Sequence, residues 1–79
     1  MPTVFIIFGL RFFFYKNDHE PIHVHGENQG NVAKIQIEPE IKLIWNHGLK
    51  NQMISKALKT TEIYKEEIIA EWNKNFPKK

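Results

Sequence analysis

Three of the four histidines of this 79-residue chain fall within seven positions, in the segment His19-Glu20-Pro21-Ile22-His23-Val24-His25. Imidazole is a common metal ligand and the one side chain that ordinarily titrates near neutrality, so such a segment can hold a cation or move protons. Ile22 to His25 reads as a short strand. Side chains on a strand alternate, which sends His23 and His25 out of one face and Ile22 and Val24 out of the other. Two imidazoles so placed can share one divalent metal such as zinc or nickel. His19 is the expected third ligand, with a carboxylate from Asp18, Glu20 or Glu27 as the alternative.

Two other uses of the same residues compete with metal binding. In the plainer one, Ile22 and Val24 fill the core while His23 and His25 merely occupy a wet face, hydrogen-bonded to neighbours or water. In the other, His23 and His25 act as general acid and base in phosphodiester cleavage, as in a ribonuclease. That chemistry needs a cation for the phosphate, for which Arg11, Lys16 and Lys34 are candidates, and Arg11 joins the two histidines as a catalytic candidate. Tyr15 could stack a base. Arg11 beside a turn and Tyr15 at the core rim serve a purely structural role equally well. His47, next to Gly48, reads as a turn residue. The sequence holds no Gly-rich phosphate loop and no Ser-His-Asp set.

The elements that must carry these residues begin with a hairpin. Residues 3–8 and 11–16 are rich in Val, Ile, Phe and Tyr and flank Gly9-Leu10, which fits a two-residue type II′ turn. That turn pairs Phe8 with Arg11, Ile7 with Phe12, Ile6 with Phe13, Phe5 with Phe14 and Val4 with Tyr15. Phe5, Ile7, Phe12 and Phe14 then form a wholly apolar face directed at the core. The second face carries Val4, Ile6, Phe8, Arg11, Phe13 and Tyr15. A sheet apolar on both sides needs cover on both, so Arg11, Phe13 and Tyr15 are expected either to bind a ligand or partner or to be covered by later strands.

Further strands are expected at 22–25, 32–38 and 41–45, separated by a turn from Gly26 to Asn31 and by Pro39. In the second of these, Ala33, Ile35 and Ile37 alternate inward. From about 51 to 76 the period becomes helical: Ile54, Ala57, Leu58, Thr61, Tyr64, Ile68, Ile69, Trp72 and Phe76 form one stripe, which predicts one long helix. Pro77 and the lysine tail end it. The fold class is therefore α+β, an antiparallel meander of four to five short strands followed by one C-terminal helix packed on the sheet, in a single domain over 1–79.

The absence of cysteine removes a disulfide framework and any thiolate metal site. The apolar start lacks a basic leader and is interrupted by Gly9 and Arg11, so no signal peptide or membrane span is expected and the chain is placed in the cytoplasm. A net charge of +2, with Glu62, Glu66, Glu67 and Glu71 interleaved among the late lysines, gives no basic stripe for nucleic acid. A domain this small removes only about 60% of its unfolded surface from water, so a homo-oligomer or a small partner protein would add needed stability.

The blocks Met1-Pro2-Thr3-Val4-Phe5, Gly9 to Tyr15, His19 to His25, Ala33-Lys34-Ile35, Glu38-Pro39, Gly48-Leu49 and Glu71-Trp72-Asn73 resemble a small bacterial family known as domain of unknown function 4160. The resemblance implies a stand-alone bacterial protein, often encoded beside another small protein in toxin–antitoxin-like modules. It also carries the histidine block over to His19, His23 and His25. Members often have Ser at the position of Lys50 and an acidic residue near Met53 to cap the helix, and this chain departs there. The functional expectation is a non-enzymatic binding or regulatory module whose histidine cluster takes a metal or ligand. A ribonuclease toxin is second and a DNA-binding antitoxin third.

Overall fold

In the computed structural model, which describes residues 3–77, the β-rich first half forms five antiparallel strands: β1 (Thr3–Ile7), β2 (Leu10–Phe13), β3 (His23–Asn28), β4 (Asn31–Gln36) and β5 (Lys42–His47). Each pairs with the next in sequence, so the sheet order is β1-β2-β3-β4-β5. Two helices follow, α1 (Asn51–Ile63) and α2 (Lys65–Asn75), and they pack on one face of the sheet. The α+β meander stands as expected. Met1-Pro2, part of the block of family resemblance, and the closing Lys78-Lys79 lie outside the described residues.

The first hairpin turns one residue earlier than the sequence suggests. Phe8 and Gly9, not Gly9 and Leu10, are the turn residues, with φ of 56° and 76°, and the pairs are Ile7 with Leu10, Ile6 with Arg11 and Phe5 with Phe12. Two successive positive φ values are the signature of a type I′ turn, whose twist matches that of the strands. Because the turn moves by one residue on the first strand and one on the second, the residues from Phe5 onward keep their expected faces. Phe5, Ile7, Phe12 and Phe14 still point at the helices, and Leu10 joins them fully buried. A bulge between Thr3 and Phe5 turns Val4 inward, so it leaves the second face on which it was expected.

Strand limits shift for similar reasons. β2 stops at Phe13 because Tyr15 enters a turn closed by Asp18. β3 runs on through Gly26 to Asn28, and the turn is Gln29-Gly30, again with positive φ at both positions. Gly26, read as the start of a turn, lies inside the strand opposite Phe12. A Cβ there would meet the Phe12 ring at 3.5 Å, so glycine leaves room for that ring. β5 extends to His47, which is a strand residue and not a turn residue.

The expected single helix is two. The whole predicted stripe from Ile54 to Phe76 does face the core, but the helix breaks at Tyr64 (φ −103°, ψ 22°). Just before it the buried Thr60 and Thr61 donate their hydroxyls to the carbonyls of Lys56 and Leu58, at 2.7 and 2.8 Å. Hydroxyls that bond to carbonyls of the preceding turn bend a helix. At the start, Lys50 makes no side-chain cap and the first turn of α1 has no acidic residue, in line with the departure noted above.

With both helices on one side, the other face of the sheet is open. Cross-strand register sets two rows on it: Ile6-Arg11-Glu27-Val32-His47 and, next to it, Phe13-His25-Lys34-Trp45. The histidines of β3 belong to this open face while Val24, between them, is fully buried in the core.

Candidate metal centre

His23 and His25 leave the same side of β3, as alternation requires, with ring centroids 5.2 Å apart and planes at 84°. Neither faces water. They are 5% and 3% exposed, covered by aromatic neighbours: His25 lies between Phe13 (5.5 Å), Tyr15 (4.5 Å) and Trp45 (5.9 Å), and His23 rests against Trp72 of α2 (5.2 Å). The expected wet face is thereby overturned, while the hydrogen bond to a neighbour that the same alternative allowed is present, from His23 to the Pro21 carbonyl. This part of the sheet becomes dry because large rings fold across it, those of Phe13, Tyr15 and Trp45 over His25 and that of Trp72, from α2, over His23.

Into this cover the β2–β3 loop inserts a carboxylate. Asp18 accepts the Tyr15 backbone N–H at 2.8 Å and returns its own N–H to the Tyr15 carbonyl at 3.2 Å. The small turn so made aims both oxygens at the histidines: Oδ1 is 3.2 Å from His23 Nε2 and Oδ2 is 3.8 Å from His25 Nδ1. His23 Nδ1 meets the Pro21 carbonyl at 2.9 Å. A carbonyl can only accept, so Nδ1 carries the proton and Nε2 is left for the carboxylate or a cation.

His25 is held in its neutral form. Burial pushes its pKa from 6.5 down to about 4; the Asp18 carboxylate and a hydrogen bond with the Phe13 backbone pull upward, while His23 and Lys34, its partner across β4, push further down. Its Nδ1 is buried with no hydrogen-bond partner among the described residues. Leaving a buried ring nitrogen unpaired costs on the order of 1–3 kcal/mol, so such an atom calls for a ligand.

One ligand atom from each of Asp18, His23 and His25 lies within 4.8 Å of the other two. An ion bound at about 2.0–2.1 Å spaces tetrahedral ligands about 3.3 Å apart, so small side-chain rotations would close this set around one cation. Two imidazoles and one carboxylate suit zinc, nickel or iron, and all three donors are available without displacing a stronger internal bond. The aromatic shell would hold the ion away from solvent.

The remaining candidates fall elsewhere. His19, the expected third ligand, is exposed and outside the cluster; Asp18, one residue earlier, stands in its place because the Tyr15–Asp18 turn points the aspartate inward. Arg11 lies in the neighbouring row. Its Nε and Nη2 donate to Glu27 Oε1 at 3.0 and 2.8 Å, and its guanidinium lies 4.4 Å from the centroid of Phe13, which is itself buried. Tyr15, 42% exposed, contributes its ring edge to His25 and its amide to Asp18. The sequence places Trp72 on the core stripe, where packing explains it at least as well as ligand contact, and gives Trp45 no role at the site. Their contacts depend on strand register and on where α2 crosses, and the sequence signal for Trp45 is only its place on an alternating strand.

No helix among the described residues is long and apolar enough to cross a membrane. No curated protein and no solved structure matches the chain. The family described as Domain of unknown function (DUF4160) matches residues 9–73, a span that contains the complete Asp18-His23-His25 cluster and every strand but β1, and the chain belongs to that family.

Proposed function

We propose that this protein is a non-enzymatic binding or regulatory module in which Asp18, His23 and His25 hold one divalent metal ion, zinc or nickel. The observation that carries this reading is the buried, unpartnered Nδ1 of the neutral His25, aimed with His23 Nε2 at the two oxygens of a single carboxylate. The ion would tie the β2–β3 loop to β3 and relieve both the unpaired nitrogen and the carboxylate–imidazole contact. Side-chain exposures of 4–11% across the three residues shield the ion from bulk solvent, and three protein ligands would leave its fourth tetrahedral position for a water or a bound ligand.

The test is metal analysis of protein purified without a polyhistidine tag, joined to zinc and nickel titrations of the wild type, His23→Ala and His25→Ala. Stoichiometric binding that both variants lose supports the reading. A wild type that takes up neither metal overturns it.

The ribonuclease reading draws less support, because Arg11 is already engaged by Glu27 and the histidines are sealed by rings. It predicts growth arrest on expression, relieved by His23→Ala. A place in a toxin–antitoxin-like gene pair, and the cytoplasm as its location, enter the proposal through the family resemblance and the composition alone. Light scattering with and without the neighbouring gene product tests the pairing.

A further inference from the structure

β1 is an edge strand: among the described residues nothing pairs with its outer side. In an antiparallel ladder every second residue turns its N–H and C=O away from the neighbour, and with the turn closing on the Ile7–Leu10 pair that residue is Ile6. An open edge of this kind is a template for another strand. Among the described residues, the three large apolar side chains that are more than half exposed, Ile6 (70%), Phe8 (61%) and Ile63 (69%), all lie along it. Phe8 is the least expected of them. It holds φ of 56° in a turn where asparagine or glycine is favoured, and it buries little in return.

The helix beside this edge carries an ordered stripe. Phe8 shares a groove with Lys56, Lys59 and Ile63, whereas the strand residues Val4 to Ile7 share theirs with Tyr64, Glu67 and Glu71. The helices therefore run opposite to β1, with lysines at the turn end, glutamates at the other end and an exposed isoleucine between. Counted from Ile63, the charges are nearly symmetric: Lys59 and Glu67 are each four residues away, Lys56 seven and Glu71 eight. Such a stripe complements a copy of itself only when the copy runs antiparallel.

We propose that two copies of this chain associate through β1, edge to edge and antiparallel, to make one continuous ten-stranded sheet. A two-fold axis normal to the sheet keeps both helix layers on the same side. It sets Lys56 and Lys59 of each copy against the partner copy's glutamates, and places Ile63 and Phe8 in the shared apolar seam. The same operation pairs β1 with its own copy, so backbone, apolar and charge complementarity all require one symmetry element. A basic peptide from another protein could satisfy the glutamates but not the lysines.

The experiment is sedimentation of metal-free protein across the micromolar range, so that its outcome is independent of the metal proposal. The wild type is expected to be a dimer. Lys56→Glu with Lys59→Glu should weaken it about a hundredfold, since like charges then face each other, and adding Glu67→Lys and Glu71→Lys should restore it. Phe8→Asn, which suits the turn better, should weaken the dimer without unfolding the chain and serves if the charge variants misfold. A monomeric wild type overturns the proposal. So does a dimer indifferent to Phe8→Asn and to charge reversal, or one weakened by reversal that the four-residue swap does not restore.

Discussion

Asp18 Oδ1 stands 3.2 Å from Nε2 of His23 while Nδ1 of that ring is committed to the Pro21 carbonyl, so Nε2 is the nitrogen left for a cation shared with the carboxylate. The second oxygen of Asp18 faces the unpartnered His25 nitrogen. One carboxylate thus serves two imidazoles. The first prediction is that Asp18→Asn, which preserves shape and can still accept the Tyr15 N–H, lowers zinc affinity by at least about a hundredfold, more than loss of an outer-shell group would. Calorimetry with the wild type and this variant, and with His19→Ala as an unaffected control, measures it.

Metal-free protein should lose stability in weak acid. His25 binds its proton near pH 6.5 when unfolded and near 4 when folded, so between those values the unfolded chain carries more protons and is favoured as pH falls. The slope from this one group is at most about 1.4 kcal/mol per pH unit. Urea melts from pH 7 to 4 should show it, and His25→Asn should flatten it over that window. Saturating zinc should move the loss to lower pH.

Both tryptophans border the proposed ion, Trp72 through His23 and Trp45 through His25. Nickel should therefore quench intrinsic fluorescence at one equivalent in the wild type, and still do so in Trp45→Phe. Trp72→Ala is a different matter. It removes a side chain packed between Phe14, Phe76 and His23 at 2% exposure, and should cost about 3–5 kcal/mol, enough to unfold much of a small domain.

Gly48 and Gly30 separate backbone strain from crowding. Both have positive φ, 98° and 83°, but a Cβ on Gly48 would lie 2.5 Å from Asn31 Oδ1 whereas one on Gly30 meets nothing within 4 Å. Gly30→Ala should cost about 1 kcal/mol. Gly48→Ala should cost more, and Asn31→Ala in the same chain should narrow the gap. Thermal melts of the three variants measure the difference.

Much of this was legible because side-chain period and face are local properties. The alternation of Ala33, Ile35 and Ile37, the apolar set Phe5, Ile7, Phe12 and Phe14, and the helical stripe to Phe76 all lie where their spacing put them. The errors sit where a competing local bond won. Hydroxyl bonds of Thr60 and Thr61 accompany the break in a stripe whose phase never slips, and paired positive φ values moved the first hairpin turn and narrowed the second to Gln29-Gly30. Neither is visible in hydropathy.

By itself the sequence determined that two imidazoles leave one side of a strand, since a pleated backbone allows no other arrangement for residues two apart. Only the tertiary structure decided what they meet. The third place in the cluster passed from His19 to Asp18 through one turn hydrogen bond, and the wet face became a dry one because Tyr15, Trp45 and Trp72 arrive from three different parts of the chain. Burial, and with it the neutral and unpaired state of His25, is a property of what surrounds a residue and is not encoded at its own position.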